Sequence, residues 1–373
     1  MRHAAYIYDE SLSRHVLRED HVMRPSRLRY TYELLDAYGA FQLPNSRLVS
    51  PRLATDEEVL TFHTPDYVAA VRSLSNGQLL VNPARYNFSD WGDNPVFPGM
   101  YEASLLSVGA SLVAAELVAS GEVDVAFNTG GGLHHAIPAA ASGFCVFNDP
   151  VIAIKRLTAL DHKVAYVDID AHHGDGVQLA FYDTDAVLTI SLHESGRYLF
   201  PGTGEVSEMG AGKGRGYAVN VPLAPNTDDE SYLWAFRAVA PPLIEHFRPD
   251  VLVSQLGVDT HFDDPITHMK LSTQGYTQVV EDISHLCPRW VALGGGGYDV
   301  AAVARCWTLA YGVMAGHDWP DEVPQSYQER YGLKRLRDER GPQLTPASQA
   351  QARKFAEDSV AAIRKQVFPM HGL

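Results

Sequence analysis

From residue 123 onward the chain carries short apolar runs rich in β-branched residues, each followed within two residues by Gly, Asp or His. They are Val123-Asp124-Val125-Ala126-Phe127-Asn128, Val164-Ala165-Tyr166-Val167, Val187-Leu188-Thr189-Ile190-Ser191, Val251-Leu252-Val253-Ser254-Gln255 and Trp290-Val291-Ala292-Leu293. Strands that lack polar alternation are buried on both faces, so these runs read as central strands of a parallel sheet. Helical patterns lie between them, at residues 99–121, 149–159, 228–247 and 273–286. Strand alternating with helix predicts an α/β fold with a mainly parallel central sheet, and no linker divides it, so residues 1–373 read as one domain. The polar, Pro-containing stretch from about Trp319 to Gly341 reads as a surface loop. Thr345-Pro346 then opens a last helix, with Thr at the cap and Pro in the first turn, that runs to about Gln366 and packs on the domain.

In sheets of this kind a ligand binds beyond the carboxyl ends of the strands. The polar clusters fall there. Gly130-Gly131-Gly132-Leu133-His134-His135 follows the first run, Asp168-Ile169-Asp170-Ala171-His172-His173-Gly174-Asp175-Gly176 the second and Ser191-Leu192-His193 the third. Asp259 follows the fourth, and Gly294-Gly295-Gly296-Gly297-Tyr298 the fifth. Burying this many ionisable groups is costly unless they bind a cation or one another. Because side chains alternate along extended chain, Asp168, Asp170 and His172 share a face and His173 points elsewhere.

Composition narrows the possibilities. A hydrophobic content of 46% supports a substantial core, and a formal net charge of −15 argues against direct binding to nucleic-acid phosphates. The N-terminus lacks the apolar core of a signal peptide, and no stretch reads as long enough for a membrane span, so a cytoplasmic protein is expected. Cys145, Cys287 and Cys306 form neither a disulfide framework nor a CxxC pair and read as buried thiols.

Asp170, His172 and Asp259 supply two carboxylates and one imidazole. Three protein ligands leave a position open for water or substrate, as in a catalytic zinc site; Fe²⁺ or Mn²⁺ suits the same ligands. A dinuclear site of the arginase type places further carboxylates two residues beyond the ligands, but those positions hold Gly174 and His261, which favours one metal. The tandem histidines His134 and His135 each need an orienting partner, and the carboxylates left over are Asp168 and Asp175; the expected pairs are His134 with Asp168 and His135 with Asp175. Tyr298, after four glycines, reads as a hydroxyl aimed at a developing oxyanion. A phosphate-cradling turn is the competing reading, but no P-loop Lys or dinucleotide pattern accompanies it.

The ordered series His134-His135, Ser142-Gly143-Phe144-Cys145, Val167 to Val177, Phe200-Pro201-Gly202-Thr203-Gly204, Asp259 and Gly294 to Tyr298 resembles the histone deacetylase superfamily. It is most similar to the class I branch and its bacterial relatives, including the acetoin utilisation proteins. The resemblance spans roughly Tyr8 to Trp307. It implies a three-layer arginase/deacetylase fold and zinc-dependent hydrolysis of an N6-acetyl-lysine acetamide. It assigns the metal to Asp170, His172 and Asp259, general base and acid to His135, electrostatic support to His134, and carbonyl polarisation to Tyr298. It makes Gly143, Phe144 and Phe200 the wall of an acyl-lysine tunnel, adds Ile266 and Asp93 as substrate contacts at its mouth, and puts Arg27 on an acetate exit path. By resemblance alone, potassium is expected at Asp168, Asp170, His172, Ser191 and Leu192, and again at Phe181, Thr184, Val187 and Tyr217. Alternatives on the same residues are an acetylpolyamine amidohydrolase and a non-catalytic acyl-lysine binder. Oligomeric state is left open.

Overall fold

The computed structural model describes residues 2–78 and 80–373. Eight strands, β1 (Ala4–Ile7), β2 (Ser46–Val49), β3 (Val125–Asn128), β4 (Val164–Asp168), β5 (Val187–Glu194), β6 (Ala218–Leu223), β7 (Val251–Gln255) and β8 (Trp290–Leu293), form one sheet in the order β2-β1-β3-β8-β7-β4-β5-β6. Every neighbouring pair is parallel. The five strands read from the sequence are therefore its contiguous centre, β3-β8-β7-β4-β5. The strands missed are β1 beside them and the two edges. β2 is only half buried, and β6 carries Asn220 and Pro222, which an edge strand tolerates because its outer ladder is unpaired.

Alternation along each strand feeds two cores. Ala165, Val167, Leu188, Ile190, Leu252 and Trp290 face one layer of helices, Ser26–Ala37, Asp229–Phe247, Thr273–Ser284, Val300–Ala315 and Pro346–Gln366. Val164, Tyr166, Val251, Val253 and Val291 face the other, Met100–Ala119 and Asp149–Thr158. The result is a three-layer α/β/α arrangement. β3 and β4 are consecutive in the chain but separated in the sheet by β8 and β7, so the loops leaving all four strands meet at one place.

Two expectations are corrected. The helix Met100–Ala119, at 20 residues, is long and apolar enough to cross a membrane, contrary to the sequence reading. It lies between two cores, with Ala114 packed toward the sheet and Leu112 toward the outer helix Pro65–Ser75. The stretch from Trp319 to Gly341 is not merely a surface loop either. It contains a helix, Gln325–Tyr331, and buries Trp319, Val323, Tyr327 and Leu336 in the main core. The apolar residues are too widely spaced among charges to show a period, yet the Trp319 indole donates to the Thr308 carbonyl of the Val300–Ala315 helix and the Tyr327 hydroxyl to the Tyr30 carbonyl of the Ser26–Ala37 helix.

Asp338 ends this stretch and ties it to the site side of the sheet. Its carboxylate accepts from Arg305 Nη1 at 2.5 Å, His261 Nε2 at 3.0 Å and the Thr273 amide at 2.8 Å, and its side chain is only 6% exposed. Burial opposes ionisation there, but the donors prevail and hold the group well below the usual carboxylate range. A carboxyl depressed in the folded state stabilises above its unfolded value and ceases to as pH falls through the folded one. Asp338→Asn should cost about 3 kcal/mol at neutral pH by stranding Arg305. The gap in urea midpoint between variant and parent should hold from pH 8 to about 5 and narrow below about 4; a gap independent of pH would refute the charged role.

Candidate active site

Strand ends deliver the three expected ligands to one point. Asp170 and His172 follow β4 and Asp259 follows β7; one donor atom from each lies within 4.8 Å of the others, and all three residues are buried. His172 Nδ1 lies 3.1 Å from Asp170 Oδ1 and 2.9 Å from Asp259 Oδ2. Among the described residues neither carboxylate is paired with a Lys or Arg. Burial raises the Asp259 carboxyl and the neighbouring Asp170 raises it further, while the two carboxylates overcome burial and lift the His172 ring to about 10, so the cluster draws positive charge to its centre. The donor set of two carboxylates and one imidazole nitrogen thus fits a divalent metal ion.

The histidine pair sits beside it. His134 Nδ1 donates to Asp168 Oδ2 at 2.7 Å, and His135 Nδ1 donates to Asp175 Oδ1 at 2.7 Å, the two pairings expected from the sequence. Tyr166 adds a hydroxyl donor to the same Asp168 oxygen at 2.7 Å. The two Nε2 atoms face each other at 3.0 Å, a contact that requires one proton between them. Burial would lower both rings. For His134 the charges of Asp168 and Asp170 overcome burial and lift it to about 9, whereas His135, buried and facing the His134 cation, falls to about 4. At neutral pH the pair is therefore an imidazolium donating to a free imidazole.

The glycine run places Tyr298 opposite. Gly295 and Gly297 have φ of +144° and +127°, and a Cβ on Gly296 would lie 2.0 Å from Asp259 Oδ2, so only glycine passes this close to the ligands. The Gly296 amide donates to Asp170 Oδ2 at 2.7 Å, and the Tyr298 amide to Asp264 Oδ2 at 2.9 Å. Burial, reinforced by Asp259 and Asp170, keeps the Tyr298 phenol protonated far above neutrality. Its ring meets that of Phe144 at 5.7 Å, while Phe200 meets His135 at 5.1 Å. A Cβ on Gly143 would come within 2.4 Å of His135 Cδ2 and 2.9 Å of Phe200 Cε1, so the slot narrows to a bare backbone.

The remaining expected positions lie around this centre. Asp93 is exposed at the outer edge, and its backbone carbonyl lies 3.2 Å from His21 Nε2. Ile266 stands on the loop whose Asp264 holds the Tyr298 amide. Arg27 is buried over the Trp307 ring, donates from Nη1 to the Gly297 carbonyl at 2.8 Å, and lines a cavity of about 100 Å³ with Leu12, Leu28, Leu133 and Phe144. Of the positions given to potassium by resemblance, Ser191 and Leu192 lie on β5 beside the end of β4. Val187 starts β5, while Phe181, Thr184 and Tyr217 sit in the turns that lead into β5 and β6. His173 turns away, to Thr203 Oγ1 and Gln178 Oε1. His261, bound to Asp338, also leaves the ligand cluster.

Several positioning residues escaped the sequence reading. Gln255, at the end of β7, donates to Asp170 Oδ2 at 2.6 Å and to the Gly132 carbonyl at 3.3 Å, linking a ligand to the histidine turn. Asp149 accepts the Gly132 and Leu133 amides at 3.0 and 2.9 Å. Their signal was faint, since a glutamine closing a strand and an aspartate opening a helix have common structural explanations.

A model of the histone deacetylase domain matches residues 21–314. The chain belongs to the histone deacetylase family. It is 42% identical over 341 residues to the acetoin utilization protein AcuC of Bacillus subtilis, covering 88% of each chain. It is 39% identical over 335 residues to human histone deacetylase 1, covering 89% of this chain and 68% of the human one. Crystal structures of a histone deacetylase homologue complexed with SAHA and of one from Aquifex aeolicus superpose with TM-scores of 0.86 and 0.85, at 32% and 31% identity, each covering 96% of this chain and 99% of the other. The fold is thus the arginase/deacetylase one, and membership makes the chain a metal-dependent hydrolase of an acetylated substrate. Asp259→Asn should lower metal affinity by about tenfold or more; metal content after dialysis equal to that of the parent would count against the ligand assignment.

Proposed function

We propose that this family member is a zinc-dependent lysine deacetylase that hydrolyses the acetamide of N6-acetyl-lysine in proteins or peptides and releases acetate. The observation that carries the reading is the Nε2–Nε2 contact of 3.0 Å between a protonated His134 and a free His135, held beside the ligand cluster at the base of an aromatic slot. Acylation removes the lysine charge, so a neutral amide on a methylene stem suits a slot walled by Phe144 and Phe200.

Asp170, His172 and Asp259 would hold the zinc, or Fe²⁺ on the same donors, and a divalent ion there supplies Lewis-acid polarisation of the amide carbonyl and a lowered pKa for water. The chain's own groups account for the proton movements. His135, unprotonated at neutral pH and fixed through Nδ1 by Asp175, accepts the proton of the attacking water at Nε2, giving up the contact with His134 as it does so. The Tyr298 phenol donates to the oxyanion that develops on the former carbonyl oxygen. The proton is returned to the departing amine, and His134 keeps the surrounding field positive. Acetate then meets Arg27, whose buried guanidinium forms no ion pair among the described residues and borders the 100 Å³ cavity.

Tyr298→Phe and His135→Ala should each lower kcat on an acetyl-lysine peptide by about 10²–10³ while retaining metal. Turnover near that of the parent in either variant would remove the role assigned. With acetylspermidine as the comparison substrate, kcat/KM should favour the peptide; the opposite order would make the chain a polyamine deacetylase.

A further inference from the structure

The mouth of the slot carries a tryptophan that the fold does not use. Trp91, in Ser89-Asp90-Trp91-Gly92-Asp93, is 87% exposed, the most exposed large hydrophobic side chain among the described residues. An indole left in water at a rim contributes nothing to the core, whereas such side chains dominate the energetics of recognition surfaces. Nor is its loop loose. Arg18 Nη1 donates to the carbonyls on both sides of Trp91, Asp90 at 2.9 Å and Gly92 at 3.3 Å, and the Ser89 amide closes the loop onto the Asn94 carbonyl at 3.0 Å. Asn94 Oδ1 in turn accepts the Phe144 amide at 2.9 Å. The loop that carries Trp91 is therefore bonded directly to the slot wall through Asn94, three residues on in sequence.

Carboxylates outnumber cations in this stretch. Asp90 and Asp93 flank the indole, and Glu19 and Asp20 lie exposed beside Arg18. Arg18 is occupied by Asp20 and by the two carbonyls. An exposed indole face on a braced loop, flanked by the carboxylates of Asp90 and Asp93, suits a cationic side chain with an aliphatic stem, through cation–π contact above the ring and charge attraction at its edge.

We infer that Trp91 is a specificity-determining residue that receives an Arg or Lys flanking the acetyl-lysine in a peptide or protein substrate. The inference rests on the deacetylase reading and extends it from the acetyl-lysine to its neighbours. The test compares blocked N6-acetyl-lysine with peptides in which acetyl-lysine is flanked by Arg, Ala or Glu, on the metal-loaded parent, Trp91→Ala and Trp91→Phe. The parent should prefer Arg to Ala by about two- to fivefold in kcat/KM, with Glu poorest. Trp91→Ala should lose most of the Arg preference yet hydrolyse blocked acetyl-lysine at the parent's rate, and Trp91→Phe should retain much of it. An Arg-to-Ala ratio equal in parent and Trp91→Ala, or no preference in the parent, would overturn the inference and leave the deacetylase reading standing. Failure of the parent on every acetyl-lysine substrate would overturn both.

Discussion

Two carboxylates and an imidazole crowded within 4.8 Å, out of contact with water, are the constraint around which this molecule is organised. Such a group calls for a cation, because among the described residues neither carboxylate finds a Lys or Arg, and burial and Asp170 raise the cost of ionising Asp259. The sheet solves the problem of delivery. Parallel strands end on one rim, and the order β3-β8-β7-β4-β5 brings the ligands, the tandem histidines and the glycine run to that rim from different parts of the chain.

The surrounding bonds fix geometry more than they add stability. Gln255 and the Gly296 amide both donate to Asp170 Oδ2, and Asp149 pins the turn that carries His134 and His135. Buried bonds to charged groups are short and directional, so the ring nitrogens and ligand oxygens are held before substrate arrives. The division of labour between the histidines follows from the same environment: two carboxylates serve His134, while His135 faces the cation that results.

Much of this was legible in the sequence, for identifiable reasons. Central parallel strands are unbroken apolar runs, so all five were readable, and a carboxylate or imidazole at a strand end stands out against them. Edge strands were not, because β2 alternates weakly and β6 contains Asn220 and Pro222. The stretch around Leu336 and Asp338 looked like surface because its few apolar residues are spaced by no regular period; its burial depends on partners hundreds of residues away, Tyr327 on the Tyr30 carbonyl among them. The pairings of His134 and His135 were readable by elimination among nearby carboxylates. Gln255 was not, since its bonds to Gly132 and Asp170 exist only once three loops have met.

The central claim is that one metal ion completes this cluster and that the completed site cleaves an acetyl-lysine amide. The most direct measurement is a zinc titration of chelator-stripped protein, following acetyl-lysine peptide hydrolysis and thermal unfolding together. One equivalent should restore full hydrolysis and raise Tm, both saturating at the same point. Full hydrolysis by the metal-free protein, or saturation only at two equivalents, would contradict the account.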